Sequence, residues 1–211
     1  MKNKNNYNIN LIKLIILIII LIIIFYFIYT KFYKNIESFY SGNNNSQEKL
    51  NKTLLHISNI MNSNNIDDWF IAYGTLLGII RENSCIEGDD DIDIVINVNY
   101  KDKLINILKN YGFSLDNRSC DRIIKTNETD EYSSIDFYLS EVDNNSNYKD
   151  NWEDVLWSNC YDQNNKLLKY KWKNIFLNLP NNYKIKLVNR YGEKWNIPQK
   201  SKGPKPCKKV I

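Results

Sequence analysis

The stretch that most constrains this chain alternates aspartate with branched aliphatic residues: Asp89-Asp90-Asp91-Ile92-Asp93-Ile94-Val95-Ile96. Successive side chains of a strand point to opposite faces. Asp89, Asp91 and Asp93 therefore share one face, and Ile92, Ile94 and Ile96 the other. Three like charges on a buried strand are costly unless a cation neutralises them. Hard oxygen donors in that number suit Mg²⁺ or Mn²⁺. An acidic turn that was merely solvated would not need isoleucines threaded between its aspartates.

Just upstream, Phe70 to Tyr73 is a short apolar run bounded by glycine, which predicts a buried strand. Gly74 and Gly78 then bracket a tight turn into a short helix, with Thr75 near its start. Small residues let backbone approach a phosphate, and a helix N-terminus offers free N–H groups to an anion. Arg81 follows, with a fork that can pair bidentately with phosphate. A lone Gly-x-x-x-Gly is usually packing, and a lone acidic run is usually a solvated face. Their succession, with apolar strands at either end, points to a metal-and-phosphate site. A further aspartate, Asp136, is the one charge in the apolar strand Ser134-Ile135-Asp136-Phe137-Tyr138-Leu139. A buried strand carboxylate without a partner is expensive, so a shared metal explains it; a solvent-facing strand edge is the alternative.

Gly74-Thr75-Leu76-Leu77-Gly78-Ile79-Ile80-Arg81, followed at this spacing by Asp89-Asp90-Asp91-Ile92-Asp93-Ile94, resembles the signature of the LicD/fukutin family. Tyr191-Gly192 and then Trp195-Asn196-Ile197-Pro198 is similar to the C-terminal end of that family's core. The resemblance spans Asp67 to Pro198. It departs from the family at Ile86-Glu87-Gly88, where Ile-Pro-Trp is frequent, and at Glu82, where a histidine commonly follows the arginine. It implies an α+β, nucleotidyltransferase-like mixed sheet flanked by helices. It further implies transfer of a phospho-alcohol group, such as phosphocholine or ribitol phosphate, from a CDP-linked donor to a glycan. On this reading Asp89, Asp91, Asp93 and Asp136 hold Mg²⁺ or Mn²⁺, while Gly74, Thr75, Gly78 and Arg81 meet the donor phosphates. Asp91, Asp93 and Asp136 are the catalytic candidates, Asp136 also as the base toward the acceptor hydroxyl, and Asp90 is secondary because it faces the other way. Arg122 and Lys125 either face the donor phosphates or are surface charge.

The N-terminal third adds a membrane expectation. Residues 11–29 are apolar apart from Lys13, nearly long enough as a helix to span a hydrocarbon core of about 30 Å. A cleaved signal peptide is disfavoured by the length of the run and by the absence of a small-x-small site after Thr30. A buried core helix is disfavoured because a small domain cannot surround it. We expect a single signal anchor, preceded by a tail over 1–10 and followed by a stem over 30–45. The lysines at 2, 4 and 13 slightly favour a cytoplasmic N-terminus, with the catalytic domain (46–199) lumenal or external and a basic tail over 200–211. Sequons at Asn44, Asn51, Asn117, Asn127 and Asn144 agree with a secretory lumen but carry little weight in an Asn-rich chain. The four cysteines lack metal-ligand spacing and allow three pairings or free thiols. A formal charge of +4 with no interleaved basic–aromatic stripe argues against nucleic acid.

Elsewhere the pattern predicts a helix capped by Asn45 or Ser46 with Leu50, Leu54, Ile57 and Met61 inward, and a second over Tyr100 to Asn110 ended by Gly112. His56, inside the first helix, reads as a packing residue rather than a base. Phe113 to Leu115 and Arg122 to Thr126 read as strands, Trp152 to Trp157 as an amphipathic turn or short helix. Leu167 to Trp172 and Ile175 to Leu179 form a hairpin, and Asn182 to Arg190 a final helix. Three rivals to phospho-alcohol transfer stand: nucleotidyl transfer, an Asp-x-Asp glycosyltransferase using a sugar nucleotide, and an inert membrane scaffold. Glycosyltransferase motifs usually end an apolar strand, whereas these aspartates open one.

Overall fold

The computed structural model describes residues 45–198 and 209–211, together with positions 19, 20, 23 and 26, which are helical and exposed. The chain divides into two units, 1–39 and 40–211. Among the described residues no helix is long and apolar enough to cross a membrane. The anchor expected over 11–29 lies outside them apart from those four positions, as do the stem before Asn45 and the tail before Lys209.

The described residues of the second unit carry four α-helices and eight strands. Helix α1 (Gln47–Ser63) follows the expected stripe, with Leu50, Leu54, Ile57 and Met61 fully buried. Ser46 caps it, its hydroxyl accepting the Lys49 N–H at 3.2 Å. The N–H of Gln47 donates to Glu87 at 2.7 Å, so a carboxylate from a distant loop completes the first turn. His56 stacks on Tyr132, with ring centroids 4.6 Å apart, which is the packing role read from the sequence.

Strand β1 (Trp69–Ile71) is wholly buried and ends one residue before α2 (Tyr73–Glu82). The helix thus absorbs both glycines that the sequence placed at a turn. Strand β2 (Asp91–Asn97) runs antiparallel to β1, a short 3₁₀ turn follows, and α3 (Lys101–Asn110) buries Leu104, Ile107 and Leu108. Gly112, at φ +83°, ends that region as expected. Of the two strands predicted next, Ile123–Lys125 forms β3, whereas Leu115 makes only an isolated bridge to Thr126.

Strand β4 (Ser134–Val142) is the centre of the sheet. It pairs in parallel with β2 over its first seven residues, Asp91 opposite Ser134 through Asn97 opposite Ser140. Its other edge is shared: β3 pairs with residues 136–138 and β5 (Tyr148–Asp150) with 140–142. Of the amphipathic turn or short helix expected over Trp152 to Trp157, residues 152–154 form a turn, and 155–157 are strand β6 (Val155–Trp157), which extends the sheet beyond β5. A parallel pair needs a crossover, and α3 supplies it. The hairpin of β7 (Leu168–Trp172) and β8 (Ile175–Leu179) forms as predicted, with Lys173 at φ +51° in its turn. Helix α4 (Tyr183–Tyr191) closes the unit. Leu187 is buried, and so is Lys186, whose ammonium donates to the carbonyl of Ser158. Cys85, Cys120 and Cys160 are free thiols, and Cys207 lies outside the described residues.

Candidate active site

The parallel register of β2 and β4 sets the site. Asp93 and Asp136 are direct partners across the two strands, and Asp91 sits two residues upstream on the same face as Asp93. Asp93 is 6% exposed and Asp136 4%, so both carboxylates lie within the protein rather than on its rim.

Asp93 is the best-supported of them. Its Oδ2 accepts the Gly74 N–H at 2.9 Å and the Thr75 N–H at 3.4 Å, and its Oδ1 accepts the Tyr138 hydroxyl at 3.0 Å. The Asp93 N–H in turn donates to Thr75 Oγ1 at 2.8 Å. Helix α2 has no side-chain cap of its own, because its first flanking residue is Ala72. Asp93 fills that role from the neighbouring strand, bringing a negative charge to the positive end of the helix. Gly74 and Thr75, expected to face phosphate, therefore hold Asp93 with their N–H groups in this structure.

Gly74 also abuts Asp89. A Cβ at residue 74 would come 2.6 Å from Asp89 Oδ2 and 3.3 Å from Asp93 Oδ2. A side chain at residue 74 would have to push the Asp89 carboxylate aside. Gly78 has a different reason. Its Cβ would lie 2.7 Å from the carbonyl oxygen of Ser84 and 2.9 Å from the Ile86 nitrogen, so it lets the loop after α2 pack onto the helix. Arg81 sits in the last turn of α2, roughly 10 Å along the axis from Gly74. Its guanidinium is engaged by Glu82 through Nε at 2.8 Å and Nη2 at 2.5 Å. Packing accounts for Gly78 and an ion pair for Arg81.

The carboxylates oppose one another's ionisation. Burial, then the Asp90 charge, pushes Asp89 up to about 7. Burial, followed by Asp93 and Asp136, pushes Asp91 up to about 10. Asp93 is raised well above the ordinary carboxylate range by burial, then by Asp89 and Asp136. Asp136 is also raised by burial, against the opposing effect of Lys125, whose ammonium forms an ion pair with it. Lys125 and Arg122 both lie over the Trp152 ring, 5.7 and 5.4 Å from its centroid. The chemistry of the donor set fits a hard divalent cation, which would remove this repulsion. Among the described residues, however, no three acidic, His or Cys groups stand gathered as a ready coordination sphere. Lys125 on Asp136 and the helix N-terminus on Asp93 hold part of that charge instead.

The loop bearing Asp89 and Asp90 is tied to α1. Asn51 accepts the Cys85 N–H at 3.0 Å and donates to Ser84 Oγ at 2.7 Å. Gln47 donates to the Cys85 carbonyl at 3.0 Å, and Asn45 to that of Asp90 at 3.0 Å. The departure at Glu87 belongs to this set, since Glu87 caps the helix. A separate polar cleft of about 460 Å³ is lined by Asp67, Asp68, Tyr161, Lys166, Lys169 and Asn178. Asp68 bonds Asn97, so this cleft opens at the end of β2 opposite Asp91 and is not the carboxylate site.

Sequence reasoning missed several residues here. Tyr138 was read only as part of an apolar strand, yet its hydroxyl orients Asp93. Tyr73, at φ +41°, opens α2 and donates to the fully buried Asp150, on a strand the pattern did not show. Arg190 lies over the Tyr73 ring at 4.7 Å. The only available signal was an aromatic or a charge inside an otherwise assigned element.

The mixed sheet thus sets two carboxylate-bearing parallel strands side by side, with a helix N-terminus docked on one of the carboxylates, and the comparisons with known proteins give that arrangement its class, a nucleotidyltransferase-fold transferase. The family model described as LicD/FKTN/FKRP, nucleotidyltransferase domain, matches residues 66–191, more than half of the chain. The protein belongs to that family. Among solved structures, the lincomycin-bound lincosamide antibiotic adenylyltransferase LnuA is similar in fold, with a TM-score of 0.51 at 16% identity. The similarity covers 71% of this chain and 89% of that one. ANT(2")-Ia in complex with adenylyl-2"-tobramycin gives a TM-score of 0.39 at 20% identity, over 47% of this chain and 54% of that one. Comparison with curated proteins finds no match.

Proposed function

We propose that this protein is a membrane-anchored, metal-dependent phosphotransferase that moves a phospho-alcohol group from a CDP-linked donor to a glycan acceptor. The observation that carries the reading is the Asp93–Asp136 register, with Asp91 beside it and the α2 N-terminus docked against it. Asp89, Asp91, Asp93 and Asp136 would hold Mg²⁺ or Mn²⁺, which when bound supplies positive charge to the donor diphosphate and the departing nucleotide.

The chain's own residues do the rest. Gly74, Thr75 and Tyr138 fix the orientation of Asp93. Asp136 takes the proton of the acceptor hydroxyl as its oxygen bonds to phosphorus and the bond to CMP breaks. Lys125 stabilises the carboxylate form of Asp136 beforehand. Trp152, beneath Arg122 and Lys125, gives the same edge an aromatic wall. The apolar run over 11–29 would anchor the domain to a bilayer as a single-pass type II protein, its catalytic domain lumenal or external.

Nucleotidyl transfer is the second reading, favoured by the fold similarity to an adenylyltransferase. The deciding experiment incubates the detergent-solubilised full chain and Mg²⁺ or Mn²⁺ with CDP-alcohols, sugar nucleotides and nucleoside triphosphates. CMP release that disappears in Asp91→Asn and Asp93→Asn supports the proposal. Pyrophosphate release from a triphosphate moves the assignment to nucleotidyl transfer, and UDP or GDP release to a glycosyltransferase. Silence across the panel without metal binding leaves the inert scaffold.

A further inference from the structure

We propose that Arg190, at the end of α4, is the side chain that binds the transferred or leaving phosphate of this site. The assignment rests on the phosphoryl-transfer reading above and names a residue for a role that Arg81, paired with Glu82, does not fill.

Three independent features converge on Arg190. The first is position. Its guanidinium carbon lies 4.7 Å from the ring centroid of Tyr73, the residue immediately before Gly74. The Tyr73 ring also packs against Tyr138, with centroids 4.9 Å apart, and the Tyr138 hydroxyl donates to Asp93, so a chain of two aromatic rings joins Arg190 to the carboxylates. The second is unmet bonding capacity. Nε and Nη1 of Arg190 are buried with no hydrogen-bond partner among the described residues. Nη2 reaches Glu153 at 3.4 Å, a distance at which the bond is weak. The side chain as a whole is 13% exposed, whereas that of Glu153 is 38% exposed. A mostly buried guanidinium with two idle donors bears a desolvation cost that an arriving anion would offset. The third is chemistry. The planar fork matches two phosphate oxygens at once, and stacking on Tyr73 fixes its plane beforehand. Among the cations described around the carboxylates, Lys125 is already committed to Asp136. Arg190 has donors to give, and Glu153 is exchanged for phosphate when substrate enters.

The test uses the full chain in detergent, Mg²⁺, and inorganic pyrophosphate as the probe, with binding measured by calorimetry. Arg190→Met should bind Mg²⁺ like the parent but pyrophosphate about tenfold or more weakly, with a smaller loss in Arg190→Lys. Glu153→Gln should bind pyrophosphate at least as tightly as the parent. If Arg190→Met does not fold, Arg190→Lys decides at unchanged melting temperature: weakened pyrophosphate binding supports the assignment, and parental binding overturns it. Equal pyrophosphate affinity in Arg190→Met and parent overturns it, as does a parent that binds no pyrophosphate with Mg²⁺. Selective weakening in a chain that turns over no CDP-alcohol leaves Arg190 a phosphate ligand and rejects the donor proposed above.

Discussion

Asp89 lies where a side chain on Gly74 would have to go: a Cβ at residue 74 would sit 2.6 Å from Asp89 Oδ2. Alanine is the better helix former by about 1 kcal/mol, and the obstacle is the movable end of a side chain. Gly74→Ala should therefore leave the melting temperature within a few degrees of the parent, displace Asp89 and weaken Mg²⁺ binding about tenfold. Gly78→Ala meets backbone atoms and should behave in reverse, losing roughly 1–3 kcal/mol of stability while its folded fraction binds metal normally. Thermal melts and metal titrations on the two variants check this pair.

Tyr138 holds Asp93 by a 3.0 Å hydrogen bond from its hydroxyl. Groups that orient a metal ligand typically matter by about 10–100-fold in affinity or activity. Tyr138→Phe should retain the fold, since the ring still packs on Tyr73 with centroids 4.9 Å apart, and lose at least about tenfold in turnover. Parental turnover would mean that the Gly74 and Thr75 N–H groups alone orient Asp93.

Lys125 and Asp136 form a buried ion pair, with side chains 12% and 5% exposed. Removing one partner of such a pair costs about 3–5 kcal/mol because the other charge is left uncompensated. Lys125→Met should be destabilised by that order without metal. Mg²⁺ should raise its melting temperature more than the parent's, since the cation then meets a carboxylate with no competitor. An equal or smaller rise would argue against Asp136 as a metal ligand.

The pH dependence has a definite sign. Asp89 and Asp91 are raised by burial and by neighbouring charges to about 7 and about 10, well above the usual value of about 4 for an unfolded chain. A carboxylate whose folded value is raised contributes stability that is fully present below about pH 4 and is lost as pH rises through the folded value. In chelator, the folded unit should lose stability between pH 5 and pH 9 through these groups. Asp91→Asn should show a shallower fall. Mg²⁺ should stabilise most at the high end, where it binds carboxylates without displacing protons. Melting curves across that range, with and without Mg²⁺, provide the measurement.

The legible parts of this molecule had local signals. The Leu50–Met61 stripe marked α1, the aspartate–isoleucine alternation marked β2, and Pro180 separated the final hairpin from α4. Strands β5 and β6 carry no such signal: each is a three-residue stretch between polar turns, without the run of consecutive β-branched or aromatic residues that marks the equally short β1 and β3. The carboxylates of the site could be named from spacing, but their partners could not. Tyr138, Lys125 and Arg190 acquire roles only through contacts between elements far apart in the chain, and an isolated charge or aromatic looks the same whether it packs, pairs or binds. Arg81 shows the converse, a suggestive spacing satisfied by the residue next to it.

The parallel pairing of β2 with β4 also governs how the site comes into being. Its two carboxylate strands cannot meet through a tight turn, so they join only after the crossover through α3 has closed a long loop. Such non-local pairings form late and slowly. A nascent chain that has emerged as far as Asp93 carries most of the negative charge of the site with nothing yet to set it against Asp136. Catalytic competence in this protein arrives with the completion of the sheet, and a fragment ending before β4 would carry the signature without the reaction.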